Sequence, residues 1–200
     1  VQKPKVVYAV LLLLTLAVGS QIPRIQIDTD PENMLAQEHP ARTFHNQTKA
    51  NFGMHDSIVV GAVNNTNPQG VYNQQSLTAM HSLTQSILDI DGVIDADVMA
   101  VSTVDNISQE SNGSIRFEWM MNKSPVSEQE ALAVQKNIER LPLLYNTLVS
   151  PNGKAAAIYV PIIDKNESFN IAQQIRASID KLDSNDEYYI TGLPVAEDQF

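Results

Sequence analysis

Three of the four histidines lie close together in a polar stretch of the chain, at His39, His45 and His55. The acidic side chains near them are Glu38, Asp56 and Asp28. A metal site needs three or four ligands that converge on one point and are themselves held by hydrogen bonds. Because these spacings match no known ligand pattern, we expect solvated side chains here and no bound metal.

A second chemical feature is the acidic run Asp28, Asp30 and Glu32. Three carboxylates this close together could bind a cation or contact a partner subunit, or could simply hold an extended segment in water. The sequence has no nucleophile elbow, phosphate-binding loop, zinc-protease motif or dinucleotide fingerprint. Since no nucleophile, base and orienting group can be assembled, we expect neither enzymatic activity nor a cofactor.

Apolar and charged residues alternate directly after Asn112-Gly113, a pair typical of hairpins because both residues tolerate the positive φ of a type I′ turn. The apolar positions are Ile115, Phe117, Trp119 and Met121. Alternation at period two predicts a half-buried strand whose apolar face lies in the core. The aromatic residues and the methionines could instead line a site for an apolar ligand, and both interpretations stay open.

The elements that position these residues follow from hydrophobic periodicity. Helices are predicted over residues 41–52, 72–89, 127–141 and 168–182. Strands are predicted over residues 58–63, 93–103, 115–121, 155–163 and 188–191. With a hairpin and helix in the middle taken as an insertion, the order is strand, helix, strand, strand, helix, strand. That order is typical of a split βαβ, ferredoxin-like α+β sandwich.

The N-terminal segment is the most apolar part of the chain, with an almost uninterrupted run from Val6 to Ile22. As a helix this run rises ~25 Å, and counting from Pro4 to Ile25 reaches the ~30 Å of a bilayer core. Lys3 and Lys5 precede the run, which predicts a cytoplasmic N-terminus and an exported remainder. The alternative is a cleaved signal peptide, with a small-residue site at Ala17-Val18-Gly19.

Composition narrows the function classes further. The chain carries 23 Asp and Glu against 13 Lys and Arg. Without a basic patch to neutralise phosphates, we expect no nucleic-acid partner. The absence of cysteine excludes disulfides and thiolate metal sites. Because the sequence begins at Val1 rather than Met and stops at Phe200 without a tail, we expect it to be an excerpt of a longer polypeptide.

Six Asn-x-Ser/Thr sequons begin at Asn46, Asn64, Asn106, Asn112, Asn122 and Asn166. They matter only in a host that glycosylates exported proteins. Chance supplies some of them in a chain rich in Asn and Ser, so they say little about function.

Three stretches carry a family resemblance. The first is Asp28-Thr29-Asp30-Pro31-Glu32-Asn33-Met34-Leu35, followed by Pro40, Phe52-Gly53 and Asp56-Ser57-Ile58-Val59-Val60. The second is Leu148-Val149-Ser150-Pro151-Asn152-Gly153-Lys154-Ala155-Ala156-Ala157-Ile158, and the third is Ile190-Thr191-Gly192-Leu193-Pro194. In this order they resemble the loop after the first transmembrane helix of RND-superfamily exporters, nearest to the branch of MMPL-like and hydrophobe or lipid exporters.

The resemblance implies a division of the chain into four parts. They are a transmembrane helix over residues 1–25, an exit segment and connecting helix over 26–56, a ferredoxin-like periplasmic porter domain over 57–193, and a lead-in to a second transmembrane helix over 194–200. The chain would lie in the cell inner membrane, with residues after about 25 on the periplasmic side. The whole protein would be a proton-driven pump for hydrophobic or amphiphilic, lipid-like substrates, and this domain would cycle between conformations.

Under this interpretation the expected substrate cleft is lined by Phe117, Trp119, Met121 and Tyr159. The expected partners are the lipid bilayer, a hydrophobic or amphiphilic small molecule or lipid, the remainder of the transporter, and further copies in a homo-oligomer. Proton-relay acids would lie in later transmembrane helices, so none is expected within these residues.

Two other interpretations stay open. Residues 20–200 could be a secreted or membrane-anchored binding module without transport activity. A eukaryotic sterol-sensing relative of the same superfamily is favoured slightly by the sequons. The absence of cysteine argues against that relative, because lumenal loops of its branch commonly carry disulfides.

Overall fold

The computed structural model describes residues 4–22 and 31–197. By its internal contacts the chain divides into two compact units, Val1–Arg42 and Thr43–Phe200. The described residues form an α+β protein with six helices and two small sheets. The helices are α1 (Pro4–Gly19), α2 (Pro40–Phe52), α3 (Gln74–Leu88), α4 (Glu128–Glu139), α5 (Ser168–Ile179) and α6 (Leu193–Glu197). The strands are β1 (Ser57–Val63), β2 (Asp105–Gln109), β3 (Ile115–Trp119), β4 (Ala155–Pro161) and β5 (Glu187–Thr191).

The N-terminal helix α1 is a 16-residue apolar helix without a buried residue. No helix in the described part of the chain is long and apolar enough to cross a membrane. The transmembrane helix expected over residues 1–25 is therefore not supported by the structure. Residues 23–30, which include the end of that span and the acids Asp28 and Asp30, lie outside the described residues. A short 3₁₀ helix, Pro31–Met34, comes next.

Helix α2 confirms the helix predicted over residues 41–52. It begins at Pro40, because proline has the φ of a first helical residue and no N–H to leave unpaired. It ends before Gly53, whose φ of +57° suits a residue that closes a helix. The Lys49 ammonium lies 3.2 Å from the Asp56 carboxylate, which fastens the end of α2 to the chain that leads into β1.

The main sheet is antiparallel, with β1 between β4 and β5. Its register places Val60 opposite Ile158 on one side and opposite Ile190 on the other. Alternate residues of β1 and β4 are buried, and they form one core with the apolar faces of α3, α4 and α5. The opposite face of the sheet, which carries Val59 and Tyr159, is only half-buried.

The strand predicted over residues 93–103 is not continuous. A 3₁₀ turn, Asp95–Asp97, interrupts it, and Asp95 Oδ1 accepts a hydrogen bond from Ala96 N at 2.8 Å. On either side of the turn the segment still pairs with β4, because Met99 and Tyr159 exchange both backbone hydrogen bonds at 3.0 and 2.9 Å. The prediction of a strand was therefore wrong, because the segment joins the β4 edge through isolated bridges at Val93 and Met99 and forms no continuous strand.

Two pairs of chain segments approach closely because one member of each pair is a glycine. Gly70 has a φ of +61°, and a Cβ there would lie 2.0 Å from the carbonyl oxygen of Gly153. Gly192, which follows β5, has a φ of +133°, and a Cβ there would lie 2.5 Å from the carbonyl oxygen of Ser57. Both contacts require the absence of a side chain.

A buried polar network joins β1, α3 and the chain that leads into β5. Asn64 Nδ2 donates to Asp186 Oδ1 at 2.7 Å, and Ser76 Oγ donates to the same oxygen at 2.7 Å. Asn64 Oδ1 accepts from Asn67 N at 2.8 Å, while Asn73 caps α3 by accepting from Ser76 N. Most of these buried groups are hydrogen-bonded within the protein, whereas the second carboxylate oxygen of Asp186 has no hydrogen-bond partner in the described structure.

Candidate functional site

Strands β2 and β3 form a separate two-stranded ribbon. Asp105 lies opposite Trp119, and Ile107 lies opposite Phe117. The predicted type I′ turn is wrong, because Gly113 has a positive φ and Asn112 does not. The turn is instead a three-residue loop closed by a hydrogen bond from the N–H of residue 110 to the carbonyl of residue 114, with the glycine at its left-handed position.

The inner face of the ribbon is polar. Asn106 is buried, and its Nδ2 donates to Glu118 Oε1 at 3.0 Å. Arg140, which ends α4, donates to Asn106 Oδ1. Arg116 on the same face forms an ion pair with Glu110. These contacts fix which side of the ribbon meets the rest of the second unit.

The opposite face of the ribbon carries four large apolar side chains, together with Asp105 and Gln109, which lie opposite Trp119 and Ile115. The exposed fractions are 44% for Ile107, 61% for Ile115, 66% for Phe117 and 58% for Trp119. These four residues, called here the apolar ribbon face, stand on one side because residues two apart on a strand share a face. The prediction that the apolar side of β3 lies in the core was wrong. A contiguous group of exposed large side chains marks a binding surface.

A cleft of about 400 Å³ opens at one end of this face, and Trp119 forms part of its wall. The remaining wall comes from α3, from the segment of residues 95–103 beside β4, and from Asn122, which follows β3. The lining residues that carry polar groups are His81, Gln85, Asp95, Ser102, Thr103 and Asn122. We call this the Trp119 cleft. Its lining is mixed, with Leu88, Ala96, Val98 and Trp119 beside these polar groups.

The four residues predicted to line a cleft do not all meet. Phe117 and Trp119 lie two residues apart on the apolar ribbon face. Met121 is buried in the core. Tyr159 is half-buried on β4, where its hydroxyl donates to Thr147 O at 3.2 Å. The structure thus brings two of the four together and adds Ile107 and Ile115, which the sequence argument did not place there.

Three of the four histidines have exposed side chains, and the fourth lines the Trp119 cleft. His39, His45 and His55 are exposed, and the Nδ1 of His39 accepts a hydrogen bond from Ala41 N at 3.2 Å. Across residues 4–22 and 31–197, no three His, Asp or Glu side chains are grouped so that they could hold a metal ion. His81 is half-buried on α3 and lines the Trp119 cleft.

Two of the six sequons are not accessible in the folded chain. Asn64 and Asn106 are both buried and hydrogen-bonded. The asparagines of the other four sequons are exposed.

Comparison with known proteins gives no family assignment. No protein-family model matches this chain, and no curated protein matches it significantly in sequence. What the chain does must be argued from the surface itself.

Proposed function

We propose that this chain is the first exported, porter-type domain of an RND-type exporter, and that it binds hydrophobic or amphiphilic, lipid-like compounds. The observation that carries the proposal is the apolar ribbon face. Its four large side chains are exposed to solvent, whereas the opposite face of the ribbon is hydrogen-bonded through Asn106. Two aromatic and two aliphatic side chains offer an apolar ligand broad contact without needing a matched hydrogen-bond pattern.

The fold agrees with this proposal. The strand order β5, β1, β4 and then the segment bridged to β4 at Met99 is that of a split βαβ sandwich with a degenerate outer strand. The ribbon and α4 are the insertion between its halves. In the proposal the apolar N-terminal segment holds the chain at the cell inner membrane, and the second unit works on the periplasmic side by moving with the rest of the transporter.

The size of the apolar ribbon face sets the expected affinity. Burying a large apolar side chain fully is worth ~1.5–3 kcal/mol, so covering the exposed half of each contributes ~1 kcal/mol. Four such side chains give about 4 kcal/mol of favourable contact, and the loss of the ligand's translational and rotational freedom offsets part of this, so the net binding is weak. Weak binding of this kind suits a surface that must release its ligand.

The test uses Trp119, the single tryptophan of the chain, as a fluorescence probe. Dodecyl maltoside added below its micelle concentration should shift the Trp119 emission to the blue with a saturable curve. Phe117→Ser should weaken this binding severalfold, because it removes the apolar neighbour of Trp119. Phe169→Ser is the matched control, since Phe169 is similarly exposed but lies on α5. Equal effects of the two substitutions, or no emission shift, would contradict the proposal.

A second candidate function is a signal-peptide-bearing or membrane-anchored binding module without transport activity. The observation that favours it is the length of α1, 16 residues. Carbonate extraction of the expressed chain, with mass analysis of its N-terminus, separates the candidates. An intact N-terminus in the membrane pellet favours the exporter domain, and a soluble product that begins near Ser20 favours the cleaved module.

A further inference from the structure

We infer that the Trp119 cleft binds the head group of an amphiphile whose tail lies on the apolar ribbon face, and that it selects a cationic amine head over an anionic one. This inference rests on the proposed function, since it assigns a head group to the ligand of the same surface. Its basis is the continuity of the two regions, one hydroxyl without a partner, and the charge of the cleft wall.

The two regions are continuous because Trp119 belongs to both. Its side chain lines the cleft and also stands on the face that carries Phe117 and Ile115. From Ile115 to Trp119 the strand spans four residue steps, ~13 Å at the rise of a β-strand. An extended dodecyl chain covers that length, so a single tail can follow β3 while its head enters the cleft.

Two hydroxyl side chains stand side by side in the cleft wall, and their hydrogen bonding differs. Thr103 Oγ1 donates to Val98 O at 2.6 Å and accepts from Ala100 N at 2.8 Å, so it serves to fold the segment. Ser102 Oγ is buried and has no hydrogen-bond partner in the described structure. Because a buried unpaired hydroxyl is costly, a ligand head that opens the wall enough to reach Ser102 Oγ would gain a hydrogen bond there.

The charge of the wall favours a cation. Asp95 is the carboxylate that lines the cleft, and the hydrogen bond from Ala96 N to its Oδ1 fixes the orientation of the carboxylate. The other titratable group that lines it is His81, and no Lys or Arg is among the described lining residues. The chain as a whole carries a formal net charge of −10. An ammonium head can pair with Asp95 and hydrogen-bond to Ser102, whereas a sulfate or phosphate head meets repulsion.

The experiment compares three amphiphiles with the same dodecyl tail: dodecylammonium, dodecyl maltoside and dodecyl sulfate. Each is titrated below its micelle concentration at low salt against the full chain, with Trp119 emission as the signal and far-UV circular dichroism to show that the fold is kept. We expect dodecylammonium to bind at least tenfold more tightly than dodecyl sulfate. Ser102→Ala should weaken dodecylammonium binding severalfold without lowering the unfolding midpoint.

Asp95→Asn should reduce the preference for the cation about tenfold. Asp97→Asn is the matched control, because Asp97 is an exposed acid on the same 3₁₀ turn and does not line the cleft. If the two substitutions reduce the preference equally, general attraction to an acidic protein explains it and the inference is wrong. Equal binding of all three amphiphiles would refute the head-group inference alone, whereas binding of none would also refute the proposed function.

Discussion

Three glycines in turns share a left-handed backbone but differ in the space around them, which allows a sharp stability prediction. Their φ angles are +85° at Gly113, +67° at Gly153 and +61° at Gly70. A Cβ at Gly113 meets nothing within 4 Å. At Gly153 it would lie 3.2 Å from the ring of Tyr72, and at Gly70 it would lie 2.0 Å from a backbone oxygen.

The expected loss in the free energy of unfolding on substitution by alanine rises from Gly113 to Gly153 to Gly70. A left-handed conformation costs an L-residue ~1–2 kcal/mol, and Gly113→Ala should lose this amount and no more. Gly153→Ala adds a small displacement of the Tyr72 ring. Gly70→Ala forces the two loops apart, which adds ~1–3 kcal/mol of overlap. It also breaks the 2.9 Å hydrogen bond from Val71 N to Gly153 O, worth ~1 kcal/mol. The total for Gly70→Ala is about 3–6 kcal/mol.

Urea unfolding followed by far-UV circular dichroism measures these differences, and the slope of the transition shows whether the unfolded state has changed. Asparagine tolerates the left-handed region, so Gly113→Asn should recover most of the loss of Gly113→Ala. If Gly70→Ala costs no more than Gly113→Ala, the two loops do not meet as described, and the reasoning from the Cβ position fails.

Three further predictions concern buried polar groups, each checked by urea unfolding. Burial, with Asp186 nearby, raises the pKa of Tyr188 to about 12; stability should therefore hold below pH 10 and fall as the pH rises towards 12. Tyr188→Phe should reduce this alkaline loss, and it should cost at most ~1 kcal/mol near neutrality, since it removes no more than a hydrogen bond to the Ser184 side chain. Asn64→Ala should lower the free energy of unfolding by ~2–3 kcal/mol, because it leaves buried polar groups of the network without their hydrogen-bond partner. Asn106→Ala should lower the free energy of unfolding by only ~1 kcal/mol, because Glu118 and Arg140 are exposed and can hydrogen-bond to water instead. It should nevertheless weaken the binding of dodecyl maltoside, because the ribbon loses its hydrogen bond to Arg140.

The helices could be predicted because their signals are local. Leu77, Met80, Leu83 and Ile87 recur at helical spacing, and all four are buried on α3. The start of α4 is also set locally, since Ser127 and Glu130 have the spacing of a capping box and Ser127 Oγ accepts from Glu130 N at 3.3 Å. Such patterns depend on neighbours three or four residues apart, which a sequence shows directly.

The candidate site could be predicted only in part, because it depends on which side of a ribbon meets the core. The alternation through Phe117 and Trp119 reveals two faces but does not say which is inward. Here the inward face is determined by the hydrogen bond from Arg140 to Asn106, two residues that are 34 positions apart in the sequence. The unpaired hydroxyl of Ser102 likewise has no sequence signal, because a neighbouring threonine of similar chemistry is fully hydrogen-bonded.

The contact between Gly192 and Ser57 has a mechanical consequence. It places the end of β5 against the start of β1, so the chain enters and leaves the main sheet at one corner. The body built on this sheet includes α6, whose Val195 lies in the same core. A body attached at two adjacent points can tilt without stretching the chain on either side. It can also be cut out and joined to another protein by two short linkers at a single site. Gly192→Val would push these two points apart and should loosen that attachment before it unfolds the sheet.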